Sequence, residues 1–405
     1  MPMTPSITVE AAWSNSVTGY IVIGSSTIES EDAVGGEFAF NSYTSIPEVQ
    51  EFTITRGRSN DLSTMQASTC VLKLFDSTAK YNPLNTGSVL YGSLQPMRPI
   101  RIRATHPITG TQYTIFYGFI LTIEFNGDPA APVTTIECVD LFEWLNNSYP
   151  TVSAMTNEDC GTVIGAILTA IGWTQPDLVS MDATGKAIPS FSASGAETAL
   201  SLIQDLLEID RGVFYIARDG IATYKSHGTL SAVETSAATF TSTQAGAMRP
   251  STQARMIING QSVTKTGNSA QTATDTTSRR AYGKRDGPAI TSAYLNNDSQ
   301  ADSLARVIVA EHKDPLTPAR PVQLMNVSDS TGDVLTQQLT RDIADYVTVS
   351  DGVYGTAISG HIDQITHRCW DGGTALQTNI LITKKNATAI TIGTSTIGSA
   401  HIVGY

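Results

Sequence analysis

Gly118-Phe-Ile-Leu-Thr-Ile-Glu124 and Gly360-His-Ile-Asp-Gln-Ile-Thr366 carry one pattern about 240 residues apart. The pattern is glycine, any residue, isoleucine, two residues, isoleucine, one polar residue. The flanks match as well. Pro99-Ile-Arg-Ile-Arg103 and Tyr346-Val-Thr-Val-Ser350 precede the two blocks, and Thr134-Thr-Ile-Glu-Cys-Val-Asp140 and Gln377-Thr-Asn-Ile-Leu-Ile-Thr383 follow them at similar gaps. All six runs have the β-branched and aromatic character of strands. The chain therefore reads as carrying one β-unit twice, with residues 85–147 and 320–391 equivalent. The competing reading is that any two antiparallel meanders look alike. Within each block the two isoleucines have opposite parity. A regular strand would point one at the core and the other at a packed outer element.

A unit present twice can place two equivalent surfaces around a ring, which suits an assembly part better than an enzyme. Composition agrees. The chain has 405 residues, enough for two to four domains, and 41% are hydrophobic. Only 15% are charged, and the formal net charge is −12. A protein that grips nucleic acid needs a basic footprint, so the balance excludes a free DNA-binding function. Cys70, Cys138, Cys160 and Cys369 form no Cys-x-x-Cys pair, so zinc-ribbon spacing is absent. Cys70 and Cys138 lie in strand-like runs and read as reduced core residues. Met1-Pro-Met-Thr-Pro5 lacks the regions of a signal peptide. The longest apolar stretch, Val163 to Trp173, is too short to span a bilayer. A soluble, cytoplasmically made protein without membrane insertion is expected.

Residues 1–147 read as a first β-barrel domain. Residues 148–245 change to a small α/β domain. There Asn157-Glu-Asp159 caps a helix to Ile171, a second helix runs from Ser194 or Ala196 to Arg211, and a hairpin turns at Arg218-Asp-Gly220. Residues 246–395 read as a second β-barrel domain. It contains a polar surface loop over Gly267–Arg280 and one helix from Asn297-Asp298 to about Lys313. Strands resume from Val322, and residues 396–405 form a tail. The fold class is α+β, mainly β, with two related β-barrel-like domains and smaller α/β domains between them.

No catalytic constellation stands out. His361, Asp363 and His367 have even spacing on one strand, but His361 and His367 lie too far apart to share an ion unless a bulge intervenes. Asp205, Glu208 and Asp210 read as the solvated face of an amphipathic helix rather than an acid–base pair. Asp342 and Asp345 beside Arg341 invite the same two readings. No nucleophile elbow, zincin, Walker or dinucleotide motif occurs. No cofactor or metal is expected. The clearest basic groups are Arg56 and Arg58, and Arg101 and Arg103 on one strand face. These four are the candidate interface residues, with ordinary surface charge as the alternative. The four tryptophans, Trp13, Trp144, Trp173 and Trp370, are scattered like core residues, which argues against a carbohydrate-binding module.

The ordered set Ile54-Thr-Arg-Gly-Arg58, Met65 to Asp76, Tyr81-Asn-Pro-Leu-Asn85, Pro96 to Arg103, Phe116-Tyr-Gly-Phe-Ile120 and Ile136 to Leu145 resembles minor tail proteins of long-tailed bacteriophages. The helix–hairpin at Ala199–Tyr224, the helix before Pro315 and the closing block at Gly360 keep the same order. The resemblance thus covers nearly the whole chain, although no single motif in it is diagnostic. Within that family the layout is similar to the tail-tip (baseplate) hub. The resemblance implies a structural homotrimer whose six barrels match a sixfold tail tube. It also implies a virion location at the tail tip, with assembly in the host cytoplasm. The implied partners are a distal tail protein or tube ring, a tape measure protein, and tail fibre or receptor-binding proteins, with phage DNA passing without specific binding. Some hubs continue into a fibre, lysozyme or peptidase region. This chain stops at Tyr405, so such activity is expected on another polypeptide. A hexameric distal tail protein is the nearest alternative, and a cell-wall hydrolase is the alternative of another class.

Overall fold

The computed structural model of the chain describes residues 3–13, 43–59, 63–128, 130–173, 178–232, 235–241, 244, 249–250, 256–315, 319–325, 331–351, 356–383, 391–392 and 395–396. Of the expected tail, 396–405, all but Thr396 lies outside them. The first β-unit consists of β1 (Ser6–Ala11), β2 (Thr44–Ser45), β3 (Val49–Gly57), β4 (Gln66–Phe75), β5 (Pro99–Thr105), β6 (Gln112–Asn126) and β7 (Val133–Val139). A middle segment follows with α1 (Phe142–Asn147), β8 (Thr151–Asp159), α2 (Cys160–Ala170), β9 (Val179–Met181), β10 (Ala187–Ser194), α3 (Ala199–Asp210), β11 (Val213–Ile216), β12 (Ala222–Lys225) and α4 (His227–Ala232). Next come β13 (Ala238–Thr241) and β14 (Arg249–Pro250), then β15 (Gly260–Lys265), β16 (Gln271–Thr274), α5 (Thr276–Tyr282), β17 (Ile290–Ser292) and α6 (Asp298–His312). Then come β18 (Ala319–Met325), α7 (Asp333–Thr340), β19 (Tyr346–Asp351), β20 (Thr356–Trp370) and β21 (Ala375–Thr383), and a two-stranded ladder of β22 (Thr391–Ile392) and β23 (Ser395–Thr396) follows.

The architecture is α+β and mainly β. The first unit has the strand order β3-β4-β7-β6-β5-β1, and the second has β14-β18-β21-β20-β19-β13. Position by position the orders correspond. Every pairing within them is antiparallel except β13–β19, which is parallel where β1–β5 is antiparallel. Gly118 and Gly360 fall on the equivalent strands β6 and β20, as the repeated blocks predict. The units are barrel-like without closing. They run instead into one open sheet, because the second half of β20 pairs with β3 of the first unit.

The isoleucine parity is corrected by a feature the sequence does not spell out. In β6 the register against β7 shifts between Ile120 and Thr122; in β20 it shifts against β21 between Ile362 and Gln364. Both are bulges at the third residue after the glycine, Leu121 and Asp363. One extra residue reverses the alternation beyond it. Ile120 therefore stands opposite Cys138 and Ile123 opposite Ile136, two residues on one face of β7. Ile362 and Ile365 likewise stand opposite Ile382 and Ile380. Both isoleucines of each block face the same core.

The middle segment contains the two expected helices and the hairpin, together with β8, β9, β10 and α4, which were not expected, and α3 begins at Ala199 with Thr198 as its cap rather than at Ser194 or Ala196. Asp159, rather than Asn157, caps α2 by accepting the Thr162 N–H at 3.0 Å. Arg211 ends α3 in the left-handed region, with φ of 63°. The stretch expected as a polar loop over Gly267–Arg280 instead contains β16 and α5. The Asp275 carboxylate accepts the Ser278 N–H at 2.8 Å and nucleates that helix. With β15, β17 and α6 these elements surround a core of their own, including Val263, Leu295, Leu304 and Ile308. Helix α7 was not anticipated, since only strands were expected beyond Val322. It is short, and its apolar positions serve two different cores. Among the described residues no helix is long and apolar enough to cross a membrane.

Gly118 sits where β6 exchanges β5 for β7 as its neighbour. A Cβ there would lie 2.2 Å from the Val139 carbonyl oxygen. Gly118→Ala should therefore lower the thermal midpoint, at a cost of about 1–3 kcal/mol typical of overpacking. Gly165→Ala on α2, where a Cβ meets open space, should raise it by up to about 1 kcal/mol. Thermal unfolding followed by circular dichroism checks both.

Candidate functional site: the contact between the two β-units

The β3–β20 ladder joins the units from Gly57–Gln364 to Phe52–Cys369. It can form because β20 is twice as long as its partner β19 needs: Thr356–His361 pairs with β19, and Gln364–Cys369 with β3. Gly57, at φ 98°, brings β3 so close to the bulge that a Cβ would lie 2.1 Å from the Asp363 carbonyl oxygen. That carbonyl accepts the Arg58 N–H at 2.8 Å.

Two of the four candidate arginines cross this contact. Arg56, with 2% side-chain exposure, donates to Asp342 Oδ1 at 2.7 Å and to the Ile216 carbonyl at 3.1 Å. Asp342 follows α7 in the second unit, and Ile216 ends β11 in the middle segment. Asp342 also accepts the Arg218 N–H at 3.3 Å through its other oxygen. One buried guanidinium thus ties three parts of the chain. Arg58 Nε pairs with Asp363 Oδ1 at 2.8 Å, so the bulge residue supplies a carboxylate to the opposite unit. Asp342 and Asp345 act structurally. Asp345 accepts the Asp342 N–H at 3.1 Å and holds Arg341 at 3.4 Å.

Arg101 and Arg103 lie elsewhere, on β5. Both reach Glu10 Oε2 of β1, at 2.8 and 2.6 Å, and Arg101 lies over the Tyr43 ring at 3.9 Å. The histidine set is dispersed by the bulge. His361 lies between the Ala344 and Leu230 carbonyls at 2.9 and 2.7 Å, Asp363 turns to Arg58, and His367 bonds Thr378 Oγ1 at 2.9 Å. Among the described residues no three His, Cys, Asp or Glu side chains converge as metal ligands. Asp210 is buried and accepts from Lys186 N, Tyr224 Oη and His227 N. Trp13, Trp144 and Trp173 are buried, whereas Trp370 is only half-buried beside Arg368. A groove of about 510 Å³ runs between α3 and the β15–α6 layer, with Asp205, Glu208, Arg58 and Arg211 among its walls. Burial raises the carboxyl pKa values of Asp205 and Glu208.

Helix α7 completes the contact. Val334, Ile343 and Ala344 in this connection join the core shared by the second unit and the middle segment, while Leu335 and Leu339 join the core of the first unit. The helix start is held by His106, whose Nε2 lies 3.3 Å from the Gly332 carbonyl and 3.2 Å from Thr336 Oγ1. Neither Asp342 nor α7 was singled out in the sequence as part of a contact. The only available signal was the acidic pair beside Arg341.

The same overall arrangement occurs in solved structures. The tail protein from Neisseria meningitidis MC58 aligns over 94% of this chain and 96% of its own, with a TM-score of 0.58 and 9% identity. The 43 kDa tail protein of prophage MuSo2 from Shewanella oneidensis aligns over 93% and 98%, with a TM-score of 0.56 and 14% identity. This chain has the fold of these tail proteins. No protein-family model matches it, and no curated protein matches it in sequence. Because both alignments run nearly end to end, the two β-units, the middle segment and the β15–α6 layer belong to one shared layout.

Breaking the buried pair should be costly. Arg56→Ala strands Asp342 and should lose about 3–5 kcal/mol, whereas Arg56→Met with Asp342→Leu should recover much of it. Urea titration of the three proteins checks this. Acid behaviour separates two further buried groups. Burial lowers His367 from 6.5 to about 3, so its stabilising effect is lost as pH falls from about 6.5 toward 3. Burial raises Asp140 from 3.8 to about 6, so it stabilises as pH falls from about 6 toward 4. Between pH 6 and 4 the two oppose each other. Relative to the parent, Asp140→Asn should lose stability on acidification through that window, and His367→Gln should gain it, each by about 1.4 kcal/mol per pH unit.

Proposed function

We propose that this chain is a structural, non-enzymatic component of a phage tail tip. Three copies act as a hub that adapts a sixfold tail tube to a threefold tip. The observation that carries the reading is the duplicated β-unit, with the same strand order and the same bulge twice in one polypeptide. Three such chains present six nearly equivalent units, which matches a six-membered ring while leaving a threefold remainder. The end-to-end likeness in fold to solved tail proteins supports the same reading.

On this reading the neighbours are a distal tail protein or tube ring above, a tape measure protein, and fibre or receptor-binding proteins. The paired face of Arg101, Arg103 and Glu10 is directed to one of these protein neighbours. Assembly takes place in the host cytoplasm, and the product is part of the virion. The net charge of −12 suits a channel wall along which DNA slides, because each neutralised phosphate would add grip.

Electron cryo-microscopy of tails assembled with this chain tests the proposal. Three copies in a threefold ring at the tip are expected, and six copies in a sixfold ring would replace the hub with a distal ring. The purified chain should leave double-stranded DNA unbound at physiological salt. A tight complex, or a continuous positive lumen, would overturn the proposed channel.

A further inference from the structure

The contact inside one chain is a template for a contact between chains. It has two parts. An edge strand of the first unit, β3, pairs with the second half of β20, and the β18–β19 connection, through α7, reaches back onto the first unit. Each part has an unused counterpart. The equivalent of the second half of β20 is Thr122–Asn126 of β6. Among the described residues this segment pairs with β7 on one side and takes no strand on the other, since β5 ends its pairing at Phe119. The equivalent of β3 is β14, the last strand of the sheet path, which among the described residues pairs with β18 alone. The equivalent of the α7 connection is the β4–β5 connection, residues 76–98. It turns Tyr81 and Leu94 into its own core and leaves Leu84, Val89 and Tyr91 exposed at 86%, 88% and 54%. Large apolar side chains gathered on one connection mark a surface awaiting cover.

We infer that β6 and the β4–β5 connection of one copy together receive the second β-unit of another copy, with β14 adding antiparallel at Phe125–Asn126 and Leu84, Val89 and Tyr91 covering the unit that supplies it. The directions agree. Inside the chain the unit that gives the edge strand is also the unit covered by its neighbour's connection, and the proposed contact keeps that relation with the units exchanged. It rests on the threefold reading above, and it names the strands and side chains that close the ring.

The register follows from the pairings. Within the first unit the partners run Ile120–Cys138–Cys70–Ile54; within the second they run Ile362–Ile382–Ala319–Pro250. Pro250 is therefore the counterpart of Ile54. Ile54 stands opposite His367, seven residues after Gly360, so Pro250 should stand opposite Phe125, seven residues after Gly118. A proline is admissible there because an edge strand tolerates a missing donor. One position differs in chemistry. Asp363 at the internal bulge pairs with Arg58, whereas Leu121 at the other bulge is exposed at 39%. The contact between chains is thus more apolar than the contact within one.

Directly opposed strand residues have Cα atoms about 4.5–5.5 Å apart, within disulfide reach. The four native cysteines are buried and free, so they do not compete. In tails assembled with the Phe125→Cys, Pro250→Cys chain, mild oxidation should yield covalent trimers on a denaturing gel, and neither single variant should. Leu84→Asp with Val89→Asp should keep the melting temperature of the chain yet abolish its incorporation into tails. A threefold ring in which the cysteine pair stays unlinked and the double aspartate variant assembles normally would overturn this interface while leaving the hub reading intact. A sixfold ring would remove the reading on which it rests.

Discussion

The fold depends on one strand being shared. β20 is fifteen residues long, and its two halves serve different neighbours. A bulge at Asp363 divides them and re-aims the strand, so that the first half stays within its own unit while the second half becomes the seam to β3. Had β20 been flat and regular, Ile362 and Ile365 would point to opposite faces and one would leave the core. The bulge lets the strand bend around that core and cross to the other unit without exposing either isoleucine. The glycine three residues earlier serves the same crossing in β6, because at that point β7 comes too close for a side chain.

Much of this was legible in the sequence. The Gly118 and Gly360 blocks correctly marked equivalent strands, the apolar spacing marked both middle helices although the second starts later than its expected cap, and Cys70 and Cys138 are buried on strands as their runs implied. What could not be read was the bulge. It depends on how one strand registers against another, and a single strand's alternation carries no information about its partner's count. The expected opposite parity of the isoleucines failed for that reason. Helix α7 was missed because eight residues divided between two cores show no single apolar stripe. β16 and α5 were missed because Ser and Thr dominate their composition, while the decisive cue was one capping aspartate.

The site was legible only as residue types. Arg56 and Arg58 stood out as basic groups near an interface, but their partners Asp342 and Asp363 lie about 300 residues further along. Nothing local links them. Arg101 and Arg103 stood out for the same reason and occupy a different environment, sharing a single glutamate on the adjacent strand. Charge alone thus gave the same signal for a buried seam and for an outer strand.

The Arg56 node has a consequence for how the chain is put together in time. Its guanidinium needs Ile216 and Asp342, separated from it by 160 and 286 residues. Until both arrive, the site holds a charge that burial penalises, so the seam cannot close around the first unit while the rest is still being synthesised. Contacts of such sequence separation form slowly, because loop closure must come first. The first unit therefore waits, its β3 edge uncovered, for the last third of the polypeptide. During that interval the nascent chain presents an open strand edge of the kind that draws other chains into aggregates. The arginine that later locks the seam has no acceptors there until Ile216 and Asp342 are both in place.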